Sequence, residues 1–431
     1  MDRQPAAFFV AYHYPPVNSA GVERTAKFLR YLPEYGYRAR VLTTSAFGGL
    51  RESQVLRAWE PLSAYRWLFN PAARGGNDDS AARTEGVALG GLARRLLVPD
   101  GQVTWLPAAL CRGLVALQRW PADVIYTTFP PASAHLLGWA LKWATGLPWV
   151  ADFRDAWTYD PLDPALRESP RRLAFERRLE EGVVRAADRV VAATELSAAY
   201  LRRSYPEAAG RIEVIPNGFD PDDLGGLDRR PPPAEDPLRL VHTGSFAASH
   251  PQRTPLPLFA ALKALAAEDP RWARRLRLVL AGRLTRAESR AAAPLEEIGM
   301  VEILGSLDRR RALECQASAH VLLLVDHPRR ELASNVPGKF YEYLAWGRPI
   351  LAMCGAGMVE QLMGRLQAGY QLPPDDEGAI ARGLRDLYRQ FHRGGLAAAD
   401  PAKVRPFHRR ALAGRLAACF DGLVRTDGDR V

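Results

Sequence analysis

One strand–helix–strand segment in the second half of the chain constrains the fold more than any other feature. Residues 321–325 (VLLLV) and 349–352 (PILA) are apolar runs of strand length, and residues 336–348 (VPGKFYEYLAWGR) lie between them. Pro337 suits the first turn of a helix, whereas Gly347 and Pro349 are suited to ending one. The order strand, helix, strand predicts a crossover connection within a parallel α/β sheet.

The same alternation runs through both halves of the 431-residue chain. We expect strands at 7–11, 38–43, 123–128, 148–153, 189–193, 238–243, 276–281 and 301–304, helices at 21–34, 132–145 and 255–267, and an irregular excursion at 45–90. A stretch rich in Pro, Gly and Asp between residues 211 and 237 separates the two series. The pattern predicts an α/β protein of two Rossmann-like, doubly wound domains that face each other across a cleft. Their expected extents are 1–215 and 216–405, with a helix in 406–431 that returns to the N-terminal domain.

The net charge and the distribution of arginines along the chain limit which classes of binding partner we expect. The formal net charge is +10, but the arginines are spread along the chain and no nucleic-acid motif is present, so we expect no nucleic-acid partner. A peripheral contact with an anionic membrane is compatible with the basic segments 91–98 and 171–179. For both segments, a solvated helix face packed on the core is the alternative.

No segment has the length and apolarity of a membrane span, and the N-terminus leads directly into the first strand without a secretory signal. The four cysteines are far apart and suggest neither a disulfide framework nor a zinc site. We therefore expect a cytoplasmic protein that can associate with the inner face of the membrane.

The helix after the 321–325 strand carries the first candidate site. Its N-terminal amides and positive dipole end favour a phosphate, and Lys339 adds a cation beside them. Glu342 lies three residues further on, on the same helix face, and its carboxylate can accept hydrogen bonds from ribose hydroxyls. This combination indicates a nucleotide-diphosphate site at the carboxyl end of a strand. The alternative is an amphipathic helix with a solvated lysine and glutamate.

Several segments, in this order and spacing, resemble the retaining glycosyltransferases of family 4, which have the GT-B architecture. They are residues 12–24 (YHYPPVNSAGVER), 123–126 (DVIY), 129–135 (FPPASAH), 150–157 (VADFRDAW), 215–220 (IPNGFD), 242–245 (HTGS), 304–305 (LG) and the helix described above. The resemblance implies transfer of a hexosyl or N-acetylhexosaminyl group, with retention, from a nucleotide-diphosphate sugar to a hydroxyl acceptor. UDP-sugar is the expected donor, and a lipid-linked or saccharide acceptor in surface polysaccharide or glycolipid biosynthesis is expected.

The resemblance also implies roles for individual residues on the donor side. Gly21 would let backbone amides approach the donor phosphate, although an ordinary loop glycine is the alternative. Gly244 and Ser245 would either contact the diphosphate or shape the hinge side of the cleft. Lys339 would contact the diphosphate, and Arg253 is a weaker candidate for the same role. The main chain of Leu304 and Gly305 would contact the base, and Glu342 would bind the ribose. The backbone of Ser334, Asn335 and Val336 would contact the donor sugar.

The chain departs from the family at Ser334, where many members have a glutamate eight residues before the ribose-binding one. Glu331 is nearby, but its spacing is different. No cofactor is expected beyond the donor substrate. Nor is a metal expected, because no Asp-x-Asp motif lies near the site.

On the N-terminal side, the cluster Asp152, Arg154 and Asp155 follows a strand. Either aspartate could accept the acceptor proton or orient the acceptor, and Arg154 could steady phosphate charge; a structural salt bridge is the alternative. His13 is a better candidate for facing substrate than His135, which we expect to be a packed histidine. Two other functional classes remain open, namely a nucleotide-sugar epimerase or hydrolase and a catalytically silent protein of the same fold.

Overall fold

The computed structural model describes residues 3–17, 20–49, 52–61, 97–159, 166, 169–235, 237–247, 252–326 and 332–424. The chain divides into two compact units. The first comprises the described residues up to Asn217 together with those from Arg409 onward, and the second comprises Gly218–His408. Most of the basic segment 91–98, and Glu331, lie outside the described residues.

A seven-stranded parallel sheet forms the centre of the first unit, with strand order β3-β2-β1-β4-β5-β6-β7. The strands are β1 (Ala6–Val10), β2 (Arg38–Thr44), β3 (Val55–Ala58), β4 (Val124–Phe129), β5 (Trp149–Phe153), β6 (Arg189–Ala192) and β7 (Ile212–Val214). The central strands β1, β4 and β5 are buried along their whole length, because helices cover both faces of a parallel sheet. This burial explains why their sequences read as continuous apolar runs.

Among the described residues, the helices that connect these strands are α1 (Ala20–Tyr31), α2 (Leu106–Arg119), α3 (Ala132–Thr145), α4 (Pro170–Ala186) and α5 (Glu195–Ser204). Successive side chains of β1 point to opposite faces of the sheet and enter two separate cores. Phe8 packs with Trp105 and Trp149 on one face, whereas Phe9 packs with Phe28 and Tyr126 on the other. The sheet is therefore a buried layer between two layers of helices.

The second unit has a six-stranded parallel sheet with strand order β10-β9-β8-β11-β12-β13. Its strands are β8 (Leu238–Thr243), β9 (Leu276–Ala281), β10 (Val301–Ile303), β11 (Val321–Val325), β12 (Ile350–Met353) and β13 (Gly369–Leu372). The helices are α6 (Leu256–Glu268), α7 (Trp272–Arg275), α8 (Arg286–Glu297), α9 (Arg309–Ala317), α10 (Gly338–Trp346), α11 (Met358–Leu366), α12 (Glu377–His392) and α13 (Pro401–Val404). This strand order is that of a doubly wound, dinucleotide-binding sheet.

The last helix of the chain, α14 (Arg409–Asp421), belongs to the first unit. Its apolar residues Leu412, Leu416 and Phe420 join the core that contains Phe9 and Tyr126. The first unit is consequently discontinuous in sequence, because the chain passes through the whole second unit before its final helix completes the first.

The expected α/β class of two doubly wound sheets is confirmed, but the expectation for residues 45–90 is wrong. Residues 45–90 were expected to be irregular, but β3 (Val55–Ala58) pairs in parallel with β2 at the edge of the first sheet. Its sequence gave a weak signal because three of its four residues are only half-buried. Residues 62–90 of that stretch lie outside the described residues.

Candidate functional site

The strand order of the second unit places a switch point between β8 and β11. Connections run outward in opposite directions from these two neighbouring strands, which leaves a crevice at their carboxyl ends. Gly244 follows β8 directly, and its amide donates to the carbonyl oxygen of Ala281 at the end of β9, with an N···O distance of 2.6 Å. The loops after β8 and β9 therefore meet at the edge of the sheet where ligands bind in such folds.

Lys339 lies against this Gly244 loop. A Cβ atom built on Gly244 would come within 1.8 Å of the Lys339 Nζ atom, so the ammonium group occupies the space that a larger residue would fill. Gly244 also has a φ of +106°, a conformation that L side chains rarely adopt. Glycine is thus required at position 244 because of its positive φ and because a Cβ atom there would overlap the Lys339 side chain.

Helix α10 begins beside the same loop. Pro337 is its N-cap residue and makes no side-chain capping bond, while its carbonyl oxygen accepts from the Phe340 amide at 2.9 Å. The sequence predicted Pro337 within the first turn of the helix, whereas the structure places it at the N-cap, one residue before the helix begins at Gly338. The backbone N–H groups in the first turn of a helix, here those of Gly338 and Lys339, favour an anion at the helix N-terminus.

Glu342 lies on the next turn of α10, and two side chains of α9 donate to its carboxylate. Gln316 Nε2 donates to Oε1, and Arg309 Nη1 donates to Oε2. Asp308 caps the start of α9 by accepting from the Arg311 amide, and Arg309 and Gln316, seven residues apart, share a face of this helix. The sequence analysis identified neither of these two donors.

A buried polar network surrounds Gln316. Its Nε2 donates to Thr243 Oγ1 at 2.8 Å, and its Oε1 accepts from Trp346 Nε1 at 2.6 Å. The Thr243 amide in turn donates to the Tyr343 hydroxyl at 3.2 Å. The network connects the end of β8, which carries Gly244, with the helix that carries Lys339 and Glu342.

His242 lies beneath Lys339 and is neutral. Its ring stacks on Phe246 with centroids 4.2 Å apart, and its Nδ1 lies 2.9 Å from the carbonyl oxygen of Leu323. Burial, followed by the nearby charge of Lys339, lowers the pKa of His242 well below its usual range. His242 therefore adds no positive charge beside the Lys339 ammonium group.

The remaining donor-side candidates lie at the carboxyl ends of other strands or in the loop before α10. Leu304 and Gly305 follow β10, two strands away from β8, and Gly305 has a φ of +67°. Ser245 follows Gly244, and Arg253 pairs with Asp326 after β11 at 3.4 Å. The Ser334 side chain is fully buried, whereas Asn335 and Val336 are half-buried. The structure thus places Gly244, Lys339 and Glu342 together, with Leu304 and Gly305 further along the same edge.

In the first unit, Asp152 is fully buried in an ion pair with Arg24. Arg24 donates from Nε and Nη2 at 2.8 and 2.9 Å, and the Tyr126 hydroxyl also donates to this carboxylate. Arg24 further donates to the backbone carbonyl groups of Ile215 and Pro216. This geometry corresponds to the structural salt bridge that was given as an alternative for Asp152, but the partner is Arg24 rather than Arg154. Because the carboxylate is fully buried, neither of its oxygens faces solvent.

Arg154 and Asp155 are arranged differently. Arg154 Nε lies 3.5 Å from Asp155 Oδ2, and the Asp155 side chain keeps 26% of its surface exposed. Burial raises the pKa of Asp155, and Arg154 partly opposes this shift. A Cβ on Gly21 would lie 1.0 Å from Arg154 Nη1, so the guanidinium group packs directly on the start of α1. The structure thus places Gly21, Arg154 and Asp155 together.

The two histidines of the first unit are packed against aromatic rings. His135 is fully buried, its Nδ1 lies 2.6 Å from Thr127 Oγ1, and burial lowers its pKa to about 3. This matches the expectation of a packed histidine. His13 packs edge-on against Tyr12 at 4.9 Å and lies 5.7 Å from the Phe47 ring.

Among the described residues, no group of three His, Cys, Asp or Glu side chains could hold a metal ion. No helix among the described elements is long and apolar enough to cross a membrane.

Comparisons with known proteins match both units. A family model for the glycosyl transferase 4-like domain matches residues 20–218, and one for glycosyl transferases group 1 matches residues 237–390. The D-inositol 3-phosphate glycosyltransferase of Streptosporangium roseum is 28% identical over 341 residues, which are 74% of this chain and 75% of the relative. That of Geodermatophilus obscurus is 28% identical over 280 residues, which are 59% of this chain and 58% of the relative.

Solved structures share the fold over nearly the full length. Sucrose-phosphate synthase from Thermosynechococcus elongatus has a TM-score of 0.63 at 17% identity and covers 97% of this chain and 99% of its own. Anabaena HepE in complex with UDP and glucose has a TM-score of 0.56 at 16% identity and covers 97% of this chain and 100% of its own. The chain therefore belongs to the GT-B glycosyltransferases that combine a 4-like N-terminal domain with a group 1 C-terminal domain.

Proposed function

We propose that this protein transfers a sugar from a nucleotide-diphosphate donor, with UDP as the nucleotide, to a hydroxyl acceptor with retention of the anomeric configuration. One observation carries the proposal. Lys339 and Glu342 share a face of α10 at the carboxyl end of β8, with Lys339 against Gly244 and Glu342 held from α9. A cation at a helix N-terminus, one turn from a carboxylate, has the chemistry to bind a diphosphate and a ribose together.

The diphosphate is the leaving group, and its negative charge grows as the glycosidic bond breaks. Lys339 supplies a point charge, and the first amides of α10 supply donors that need no rearrangement. Gly244 supports this arrangement because it leaves room for the ammonium group. Stabilisation of the leaving diphosphate is thus the main contribution we propose for the second unit.

Glu342 accepts the ribose hydroxyls in this proposal, since an ionised carboxylate only accepts hydrogen bonds. The main chain at Leu304 and Gly305 contacts the base, and the backbone of Ser334, Asn335 and Val336 contacts the donor sugar. The solved complexes of Anabaena HepE with UDP and with UDP-glucose support a uridine donor.

On the acceptor side, Asp155 receives the hydroxyl proton and Arg154 steadies nearby phosphate charge. A carboxyl group with a raised pKa is a better proton acceptor than an ordinary exposed aspartate. Asp152 is left out of this set because its carboxylate is buried against Arg24. The name of the curated relatives specifies a phosphorylated polyhydroxy compound, which agrees with a hydroxyl acceptor. A lipid-linked or saccharide acceptor in surface polysaccharide or glycolipid synthesis is proposed for this chain.

Calorimetric titration with UDP and with GDP tests the donor site, with Glu342→Ala as the variant. Glu314→Ala is the matched control, because Glu314 is an exposed carboxylate that pairs with Arg310. We expect micromolar binding of UDP, loss of at least tenfold in affinity in Glu342→Ala, and no change in the control. Equal affinity in Glu342→Ala would remove the ribose assignment.

The type of reaction is tested separately with radiolabelled UDP-sugars. Label transferred to a saccharide or lipid extract, dependent on the added acceptor, supports the transferase proposal. A new nucleotide sugar, or free sugar released without any acceptor, would instead indicate an epimerase or hydrolase. Failure of both UDP and GDP to bind would favour a catalytically silent protein of this fold.

A further inference from the structure

We propose that Gln316 is a positioning residue of the donor site, which holds the Glu342 carboxylate in place relative to the end of β8. The inference rests on the proposed role of Glu342 as the ribose acceptor. Gln316 is 1% exposed, and its Nε2 donates to both Glu342 Oε1 and Thr243 Oγ1. A single buried amide therefore joins the residue before Gly244 to the carboxylate on α10.

The orientation of this amide is determined by its third partner. The indole nitrogen of Trp346 can only donate a hydrogen bond, so the atom 2.6 Å from it is the amide oxygen of Gln316. Both hydrogens on Nε2 are then directed to Thr243 and Glu342. The reversed amide would place an oxygen against the carboxylate and leave the Trp346 donor unpaired, which is costly in a buried position.

The two oxygen atoms of the Glu342 carboxylate are thus held by different side chains. Gln316 reaches Oε1 from the interior, whereas the Arg309 side chain on Oε2 is 52% exposed. Exposed ion pairs contribute little and exchange readily with solvent, whereas a buried charge-assisted hydrogen bond is retained. The orientation of the carboxylate that meets the ribose is therefore set by Gln316, with the solvent side left for the ligand.

Gln316→Glu tests this role because it keeps the shape of the side chain. The introduced carboxyl group faces Glu342, and two adjacent carboxylates raise the pKa of the pair. Once the pH exceeds the raised pKa of the pair, both groups are ionised and repel, and we expect the UDP dissociation constant to rise at least tenfold. As the pH falls towards about 5.5, the introduced group takes up a proton and can donate again, so the affinity recovers.

Gln316→Leu is the second variant, and it removes the donor without adding charge. We expect its UDP affinity to fall about tenfold at every pH, because one charge-assisted hydrogen bond is lost. Its affinity for inorganic pyrophosphate, which has no ribose, is expected to stay within about twofold. Gln390→Glu serves as the matched control, since Gln390 lies on α12 and accepts from Tyr370.

The outcomes separate this inference from the proposed function. Parallel pH profiles of UDP binding in the wild type and in Gln316→Glu, with the wild type binding normally, would overturn the role of Gln316 and leave the donor site intact. Equal loss of UDP and pyrophosphate binding in Gln316→Leu would indicate a general distortion and also overturn it. If the wild type binds neither UDP nor GDP, the proposed function fails and this inference fails with it.

Discussion

Gly244 connects the backbone conformation of the second unit directly to its candidate chemistry. In Gly244→Ala, the new methyl group would compete with the Lys339 ammonium for the same space, and a φ of +106° would be strained. We expect the affinity for UDP and for pyrophosphate to fall at least tenfold, while the weak binding of uridine is unaffected, because the diphosphate contact is what is displaced. Calorimetry with the three ligands measures the difference.

Gly394→Ala is the control for strain alone. Gly394 has a φ of +67°, and a Cβ there would meet nothing within 4 Å. We expect a loss of about 1–2 kcal/mol in stability and unchanged UDP binding. If both variants bind UDP like the wild type, Lys339 does not depend on Gly244 for its position.

Asp152 offers a test of a structural against a catalytic role. In Asp152→Asn, the buried Arg24 loses the charge that balances it, and we expect the first unit to lose about 3–5 kcal/mol in stability. UDP binding, assigned to the second unit, is expected to persist. Differential scanning calorimetry and UDP titration measure the two effects, with Asp188→Asn, in a half-exposed pair with Lys142, as the control. Lost activity with an unchanged unfolding midpoint would contradict the structural role.

The charged residues of the candidate site were easier to predict from the sequence than the side chains that hold them in place. Lys339 and Glu342 could be found because a cation and a carboxylate at helical spacing follow a buried strand. Gln316 could not be found in this way, because its helix has four other polar or charged residues and nothing in the sequence distinguishes one amide among them. Arg24 likewise resembles any arginine on a surface helix, and only the fold shows that it is fully buried against Asp152.

At the level of elements, strands that are almost wholly buried were easier to predict from the sequence than half-buried strands. The strands at Leu238–Thr243, Leu276–Ala281 and Val321–Val325 were predicted at their observed bounds, because each is almost wholly buried and flanked by helices. Among the edge strands, β10 was predicted at 301–304, whereas β3, β7 and β13 were missed, since half-buried or exposed residues interrupt their apolar pattern. An edge strand depends on its single neighbour, which sequence periodicity does not show.

Helix α4 carries a buried carboxyl group that links stability to pH. Glu180 accepts hydrogen bonds from Tyr205 and from Thr158, yet burial raises its pKa to about 7 from an ordinary value of 4.5. Between these values the folded protein retains a proton that the unfolded chain releases. Stability from this group is therefore full below about pH 4.5 and is lost as the pH rises through about 7.

Glu180→Gln removes this titration. We expect the variant to gain stability relative to the wild type between about pH 5 and pH 8, by at most about 3 kcal/mol. Thermal midpoints of both proteins at the two pH values measure the gain. Glu181→Gln, on the same helix but partly exposed, is expected to show no such trend. A constant difference between wild type and Glu180→Gln at both pH values would show that Glu180 does not titrate in this range.

For the whole molecule, the chain order makes the first unit discontinuous in sequence. The first unit ends near residue 217 and is completed by α14 after the second unit. Leu412, Leu416 and Phe420 are ordinary apolar helix positions, and nothing in their spacing specifies which sheet they cover. A helix within 406–431 was expected to return to the N-terminal domain, and α14 packs beside Phe9 and Tyr126 of the first unit.

The net charge of +10 and a group of exposed aromatic side chains lead to a prediction about membranes. Trp143 on α3 is 87% exposed, and Phe175 on α4 is 48% exposed. The exposed Arg171 and Arg178 lie on α4, and a Cβ on its Gly182 would come within 2.7 Å of the α3 residue Trp139, so the two helices are in contact. Aromatic rings with neighbouring arginines suit the interface of an anionic bilayer.

We expect the protein to co-sediment with vesicles that contain phosphatidylglycerol and not with vesicles of phosphatidylcholine alone, because lipid charge attracts the basic surface. High salt should release it, since exposed charges are screened. Trp143→Ala should weaken binding several-fold, whereas Trp59→Ala, which removes a ring that is 60% exposed and follows β3, should not. Equal binding to both vesicle types, or equal loss in both variants, would mean that the α3–α4 surface has no specific role at the membrane.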